Sequence, residues 1–292
     1  MMSNETAIAL RKMNGLGNDF AVLDARPRAL TLSVERARAI ANRESGVGCD
    51  QVIAIEPSPD GADAFMRIWN HDGGEVEACG NAMRCVASIL ADELGRPRIS
   101  IQTGAGILSA NLNGDGSVTV DMGVPKLNWD EIPLAEEFHD TRSIELQVGP
   151  IDDPVLHTPS VVNVGNPHCI FWVDDLDAHD LARIGPVLEH HPLFPERANV
   201  SLAQVTSPDA ITLRVWERGV GLTRACGTAA CAVVVAAVRK KLTGRKVTVT
   251  LPGGPLQLEW READDHILMT GPSELEYEGT LDASLLNPEP VS

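Results

Sequence analysis

Two stretches decide how this chain is built. Met66-Arg67-Ile68-Trp69, continuing to Ala78-Cys79-Gly80-Asn81-Ala82, lies without a gap over Leu213-Arg214-Val215-Trp216, continuing to Ala225-Cys226-Gly227-Thr228-Ala229. Cys79 and Cys226 stand 147 positions apart (226 less 79), and Gly74 falls on Gly221. Further matches keep almost that spacing and the same order. Gly17-Asn18 falls on Gly165-Asn166, Gln51-Val52 on Asn199-Val200, Ile99 to Gly106 on Val247 to Gly254, and Val120 to Gly123 on Leu268 to Gly271. Ordered blocks at constant spacing over half a chain are the mark of a duplicated module.

Each half reads as short, alternating β-branched strands around one helix. Gly80 to Leu94 is apolar at Ala82, Met83, Cys85, Val86, Ile89, Leu90 and Leu94, with Gly95 as its stop and Pro97 beyond. Gly227 to Leu242 is apolar nearly all round until Arg239-Lys240-Lys241, with Gly244 after it. A helix apolar on most faces must be enclosed. The expected fold is therefore α+β: two pseudo-symmetric domains from an internal duplication, each a mixed, curved, barrel-like β-sheet around a central α-helix. Residues 1–124 form the first domain and 125–274 the second, with a linker near Gly123 to Asp130 where Gly, Pro and Asn cluster.

Composition narrows the function. The 292 residues are 43% hydrophobic and 22% charged, ordinary for two globular domains. Lys and Arg number 24 against 41 Asp and Glu, a net charge of −17, and aromatics are 4%. That surface disfavours nucleic acid and anionic membranes as partners. Between Met1 and Gly17 no basic stretch precedes an apolar run, so no secretory signal is visible. Six cysteines in such a length make no disulfide framework, and a cytoplasmic protein with reduced thiols is expected.

Cys49, Cys85, Cys169 and Cys231 read as small buried hydrophobes. Cys79 and Cys226 differ, because each opens a buried helix, where free N–H groups and partial positive charge favour a thiolate. If the two domains face each other about a pseudo-twofold axis, the sulfurs converge from opposite sides. Two such sulfurs suit inversion of a stereocentre: one removes a proton and the other supplies one to the opposite face. N–H groups around Gly80, Asn81, Gly227 and Thr228 would grip the substrate carboxylate as charge moves onto it.

The strings Lys12-Met-Asn-Gly-Leu-Gly-Asn-Asp-Phe20, Ala78-Cys-Gly-Asn-Ala-Met-Arg-Cys85, Gly165-Asn-Pro-His-Cys169 and Glu217-Arg-Gly-Val-Gly221 resemble the diaminopimelate epimerase family from about Arg11 to Tyr277. The resemblance implies a cofactor-independent enzyme that interconverts LL- and meso-diaminopimelate, in lysine and peptidoglycan-precursor synthesis. It implies Cys79 and Cys226 as acid/base pair, His168 and Glu217 as groups tuning the thiols, and Gly80, Asn81, Gly227 and Thr228 around the reacting carboxylate. Asn18, Gln51, Asn70, Asn166, Asn199, Glu217 and Arg218 would line the rest of the site, and the tail 275–292 would return to the first domain. The chemistry agrees: Arg218 matches a distal carboxylate in a bidentate fork and Glu217 an ammonium group. Leu222, His71 and Ala82 depart from the family's pattern.

Taken singly, the polar residues have plainer readings. Asn18 and Asn166 follow glycines in turn chemistry, Gln51 and Asn199 suit loop-to-strand junctions, Glu217-Arg218 suits a solvated corner, and His168 a satisfied histidine. Trp69 and Trp216 are assigned to packing. A zinc-binding reading of Cys79, Cys85, Cys226, Cys231 and His168 misses the usual short ligand spacings, so no metal is expected. A proline racemase-like isomerase also pairs cysteines, though the Glu217-Arg218 pair and the asparagines suit a substrate with a second amino-acid head. The partner is a small molecule, with room for a homodimer.

Overall fold

The computed structural model describes residues 8–77 and 79–286. Part of the leader reading (residues 1–7), Ala78 of the cysteine motif and the last residues of the tail (287–292) lie outside them. The chain divides into two compact units, one running through Val120 and resuming from Gly271, the other Asp121–Thr270.

In the first unit β1 (Ala9–Gly15) and β2 (Asn18–Asp24) form a hairpin. Its two loop residues, Leu16 and Gly17, have φ of 66° and 82°, the left-handed pair that suits the twist of flanking strands. Helix α1 (Val34–Ala41), capped by the Ser33 side chain, leads to β3 (Gln51–Glu56), which runs parallel to β2. β4 (Ala64–Asn70) is antiparallel to β3, and β5 (Glu75–Val76) folds back on it. Helix α2 (Gly80–Leu94) follows, then β6 (Arg98–Thr103) parallel to β4, β7 (Gly106–Leu112) antiparallel to β6, and β8 (Val118–Asp121). The C-terminal strand Glu274–Thr280 pairs with the other edge of β1, and Leu281 joins the buried cluster with Ile8 and Leu10.

α2 packs against β1, β2, β6 and β7. Met83, Cys85, Val86 and Leu90 are fully buried there. Each large apolar side chain so buried contributes roughly 1.5–3 kcal/mol of transfer free energy. Gly95, at φ 64°, ends the helix in the left-handed conformation.

The second unit begins with an irregular segment holding β9 (Gln147–Val148) and β10 (Leu156–His157). Then the first unit's pattern recurs. β11 (Ser160–Asn163) and β12 (Pro167–Trp172) form a hairpin, and α3 (Leu181–Glu189) leads to β13 (Asn199–Ser207), parallel to β12. β14 (Ala210–Glu217) and β15 (Gly221–Thr223) precede α4 (Gly227–Arg239). β16 (Lys246–Leu251) is parallel to β14, and β17 (Gly254–Trp260) and β18 (Ile267–Gly271) follow antiparallel. Register repeats as well as order. Phe20 lies beside Gln51 as His168 lies beside Asn199, and Val52 faces Trp69 as Val200 faces Trp216. α4 is enclosed by β11, β12, β13, β16 and β17.

Four points differ from the sequence reading. The units part at Asp121 and Gly271, ahead of the expected 124 and 274. Met122 N–H already bonds the Ile267 carbonyl, and Glu274 is already paired with Asn14. Each unit has a second helix, α1 or α3, where one was expected. α4 stops at Arg239 rather than Leu242, because Lys241 (φ 60°) takes the left-handed position. Its N–H bonds Val238 O and that of Leu242 bonds Ala237 O, the paired bonds of a Schellman stop. Finally, the segment before β11 has no counterpart in the first unit. Ile132, Leu134, Ile144, Leu146 and Leu156 from it join the cluster around Phe171 and Leu202.

Candidate active site

Cys79 and Cys226 occupy the same place in their units, the N-cap of the enclosed helix. Both have extended backbone (φ −147°, ψ 112° and φ −136°, ψ 105°), and neither side chain caps its helix. The first-turn N–H groups of Gly80-Asn81 and Gly227-Thr228 precede the first intrahelical bonds, Met83 N to Cys79 O and Ala230 N to Cys226 O. Such groups form an anion-binding terminus.

In the first unit the half-buried Cys79 thiol points to Asn18 Oδ1 at 4.0 Å. Asn81 Nδ2 donates to the same oxygen at 3.4 Å, and Asn18 Nδ2 donates to Asp50 at 2.8 Å. Asp50, which accepts only, thus turns the amide so that its oxygen faces the thiol. Gln51 and Asn70, directly opposite on β3 and β4, are joined by Gln51 Nε2 donating to Asn70 Oδ1 at 2.9 Å. Among the described residues, Gln51 Oε1 and Asn81 Oδ1 are buried acceptors with no hydrogen-bond partner. A buried acceptor left open in this way suits a donor brought by a ligand, such as an ammonium group.

In the second unit Cys226 is 5% exposed, its sulfur 3.4 Å from Thr228 Oγ1. Burial first and the Glu217 carboxylate second push its thiol well above the usual range, against the pull of Thr228 and the Ala229 N–H. The expected bias toward a thiolate does not hold for this sulfur. Glu217 accepts from Thr223 Oγ1. Arg218 N–H donates to Asn199 Oδ1 at 3.0 Å, its guanidinium donates to the Glu196 carbonyl at 2.9 Å, and Asn199 Nδ2 donates to the Pro167 carbonyl. His168 is fully buried, with Nε2 2.8 Å from Asn166 Oδ1, so Nε2 carries the hydrogen, and Nδ1 is a buried acceptor with no partner among the described residues. Burial, then Arg218, pushes His168 down to about 3, and the ring is neutral.

Asn18, Gln51, Asn70, Cys79, Gly80 and Asn81 thus lie in one unit, with Asn18, Cys79 and Asn81 joined and Gln51 paired with Asn70, and Asn166, His168, Asn199, Glu217, Arg218, Cys226, Gly227 and Thr228 lie in the other. Cys85, Cys169 and Cys231 are fully buried, and Cys49 nearly so. Burial pushes Cys49 up to about 11 and Cys85 up to about 12. Asp50 and Thr223 are partners of candidate site residues that the sequence reading did not single out.

The diaminopimelate epimerase family model matches residues 10–128 and 160–276. The chain belongs to the diaminopimelate epimerase family. The interval that the family model passes over contains β9 and β10, the segment without a counterpart in the first unit. A diaminopimelate epimerase of Brucella anthropi is 57% identical over 279 residues, 95% of this chain and 92% of its own length. One of Rhodopseudomonas palustris is 57% identical over 275 residues, 94% of each chain. Solved structures share the fold at low identity. A PhzF-family phenazine biosynthesis protein of Bacillus anthracis has TM-score 0.68 at 17% identity, covering 95% of this chain and 99% of its own. A hydroxyproline epimerase of Agrobacterium vitis has TM-score 0.67 at 15% identity, covering 96% and 94%. Membership makes the chain an isomerase. Among the described residues no helix is long and apolar enough to cross a membrane.

Proposed function

We propose that the chain inverts one α-carbon of diaminopimelate, interconverting the LL and meso forms without a cofactor in the cytoplasm, with Cys79 and Cys226 as the two acid/base groups. The reading is carried by one observation: a cysteine at the N-cap of the enclosed helix in both copies of a duplicated unit, beside uncapped N–H groups. The N–H groups of Gly80, Asn81, Gly227 and Thr228 bind the carboxylate next to the reacting carbon. Charge grows on that carboxylate as the proton leaves, and each well-aimed donor of this kind is worth about 10²–10³ in rate.

Cys226, held as a thiol by burial and by Glu217, is the acid for one direction, and Cys79 as thiolate is then the base. The α-proton passes to the Cys79 sulfur, and the Cys226 S–H proton passes to the opposite face of the carbon. The enzyme finishes with Cys79 as thiol and Cys226 as thiolate, ready for the reverse direction. The two titrate as a pair. His168 stays neutral and orients Asn166. Asn18, Gln51, Asn70, Asn166, Asn199, Glu217 and Arg218 hold the substrate, with Arg218 on the distal carboxylate and Glu217 on an ammonium. Glu274–Thr280 is exposed along its whole length, and that surface suits contact with a second copy of the chain.

In D2O at early turnover, deuterium enters the α-carbon of the product, since the proton delivered comes from the second thiol and not from the substrate. Cys79→Ala and Cys226→Ala each abolish interconversion. Full turnover in either variant overturns the assignment.

A further inference from the structure

Glu217 and Arg218 sit on the turn between β14 and β15, and that turn is fastened from both sides by one buried carboxylate. Glu189, the last residue of α3, is 3% exposed. Its Oε2 accepts from Trp216 Nε1 at 2.7 Å, and its Oε1 accepts from the Gly219 N–H at 2.9 Å. Arg197 Nη1 reaches Oε1 at 3.5 Å. The residues flanking the Glu217-Arg218 dipeptide are thus both tied to Glu189. The helix sits directly on the first of them: a Cβ at Gly185 would lie 2.5 Å from the Trp216 ring.

The first unit builds the same junction from different atoms. There α1 supplies Arg38, whose guanidinium donates to the Asp72 carbonyl in the turn after Asn70. A Cβ at Gly73 of that turn would lie 2.4 Å from the Val34 carbonyl. In each copy the helix between the second and third strands of the repeated pattern anchors the turn that follows a site residue, Asn70 or Glu217. A buried carboxylate is a costly way to fill space, and an apolar side chain would pack more cheaply. Two short charge-assisted bonds instead fix where the turn lies.

We propose that Glu189 is a positioning residue, which holds the Trp216–Gly219 turn so that Glu217 and Arg218 meet the substrate; this rests on the assignment of those two residues to the substrate site. Glu189→Gln keeps the size, removes the charge and turns an amide N–H₂ toward one of the two donors. The variant is expected to raise KM and lower kcat together, with kcat/KM falling about tenfold or more. Loss of folded enzyme alone would lower kcat and leave KM unchanged. The second readout is the pH profile of Cys226 alkylation. Glu217 is the charged group bearing on that sulfur, so a turn that drifts moves the profile to lower pH, toward that of Glu217→Gln.

A Glu189→Gln enzyme with wild-type KM and wild-type Cys226 profile, beside an impaired Glu217→Gln, overturns the positioning role alone. A Glu217→Gln enzyme with wild-type KM and profile removes the substrate-site assignment and this proposal with it. Should Glu189→Gln fail to fold, Trp216→Phe deletes one donor while keeping the ring packed. A raised KM there supports the role, and an unchanged KM overturns it.

Discussion

At the scale of single residues, the two N-cap cysteines show how magnitude decides between opposing effects. A helix N-terminus stabilises a nearby anion by roughly 0.3–1 kcal/mol, and in favourable partly buried sites by up to about 2. A pKa unit is about 1.4 kcal/mol, and complete burial can move a group by about 3–5 units the other way. For Cys226, which is buried and faces the Glu217 carboxylate, burial wins and the resting state is a thiol. The sequence places Cys226 at a helix start, and the family resemblance names Glu217 as a group tuning the thiols, but neither carries a mark of how deeply the sulfur lies. Cys79 is only half-buried, with the Asn18 amide oxygen 4.0 Å from its sulfur, so the burial cost of its thiolate is smaller. With limiting iodoacetamide at about pH 8, Cys79 is therefore expected to be modified well before Cys226, whose unperturbed value would be 9.0. Peptide mapping over time checks this, and equal labelling of the two sulfurs would contradict the burial argument.

Among the elements, the two enclosed helices are read from sequence with unequal success, and their ends explain why. α2 stops at Gly95, a residue whose missing Cβ makes the left-handed conformation cheap, and the stop is visible in the sequence. α4 makes the same kind of stop with Lys241, and nothing in Arg239-Lys240-Lys241 says which residue will turn left-handed. The short helices are hard to read in the sequence for related reasons. α1 has eight residues with charges interleaved, and α3 carries Pro186 inside it. Lys241 also supplies a test. A non-glycine residue in the left-handed region costs roughly 1–2 kcal/mol, and glycine gives back about 0.5–1 through its freer unfolded chain. Lys241→Gly is thus expected to stabilise the protein by about 0.5–1 kcal/mol in urea unfolding, with an unchanged slope. A loss of stability would mean that the Lys241 side chain matters more than its backbone.

Over the whole chain, duplication is what makes the candidate site legible in the sequence. Cys79 and Cys226 lie in repeated blocks, as do Gly80 and Gly227, Gln51 and Asn199, and Asn18 and Asn166, so position alone distinguishes them from other residues of their kind. Glu189 and the segment carrying β9 and β10 lie outside those blocks and were invisible for that reason. The same molecule is strongly acidic, with net charge −17, and its folded state depends on keeping several of those acids ionised. Burial pushes Asp19 up, but Arg43 and Lys12 more than offset it and hold it far below its ordinary 3.8. Arg26 holds Asp24 down in the same way. A carboxyl with a lowered folded value contributes stability above its unfolded value, and that contribution is lost as pH falls through the folded one. His168, kept neutral by burial, has the same sign over a higher window, because the unfolded chain takes up its proton below 6.5 while the folded chain resists until about 3. Stability to urea is therefore expected to start declining below about pH 6.5 and to steepen below about pH 4 as the aspartates follow. Asp19→Asn separates the two: it should lower the urea midpoint at pH 7, where Lys12 and Arg43 lose a charged partner, and flatten the steep acid limb while leaving the shallow one. A variant whose acid limb stays as steep as the wild type's would show that the Lys12–Asp19–Arg43 cluster does not carry the acid sensitivity.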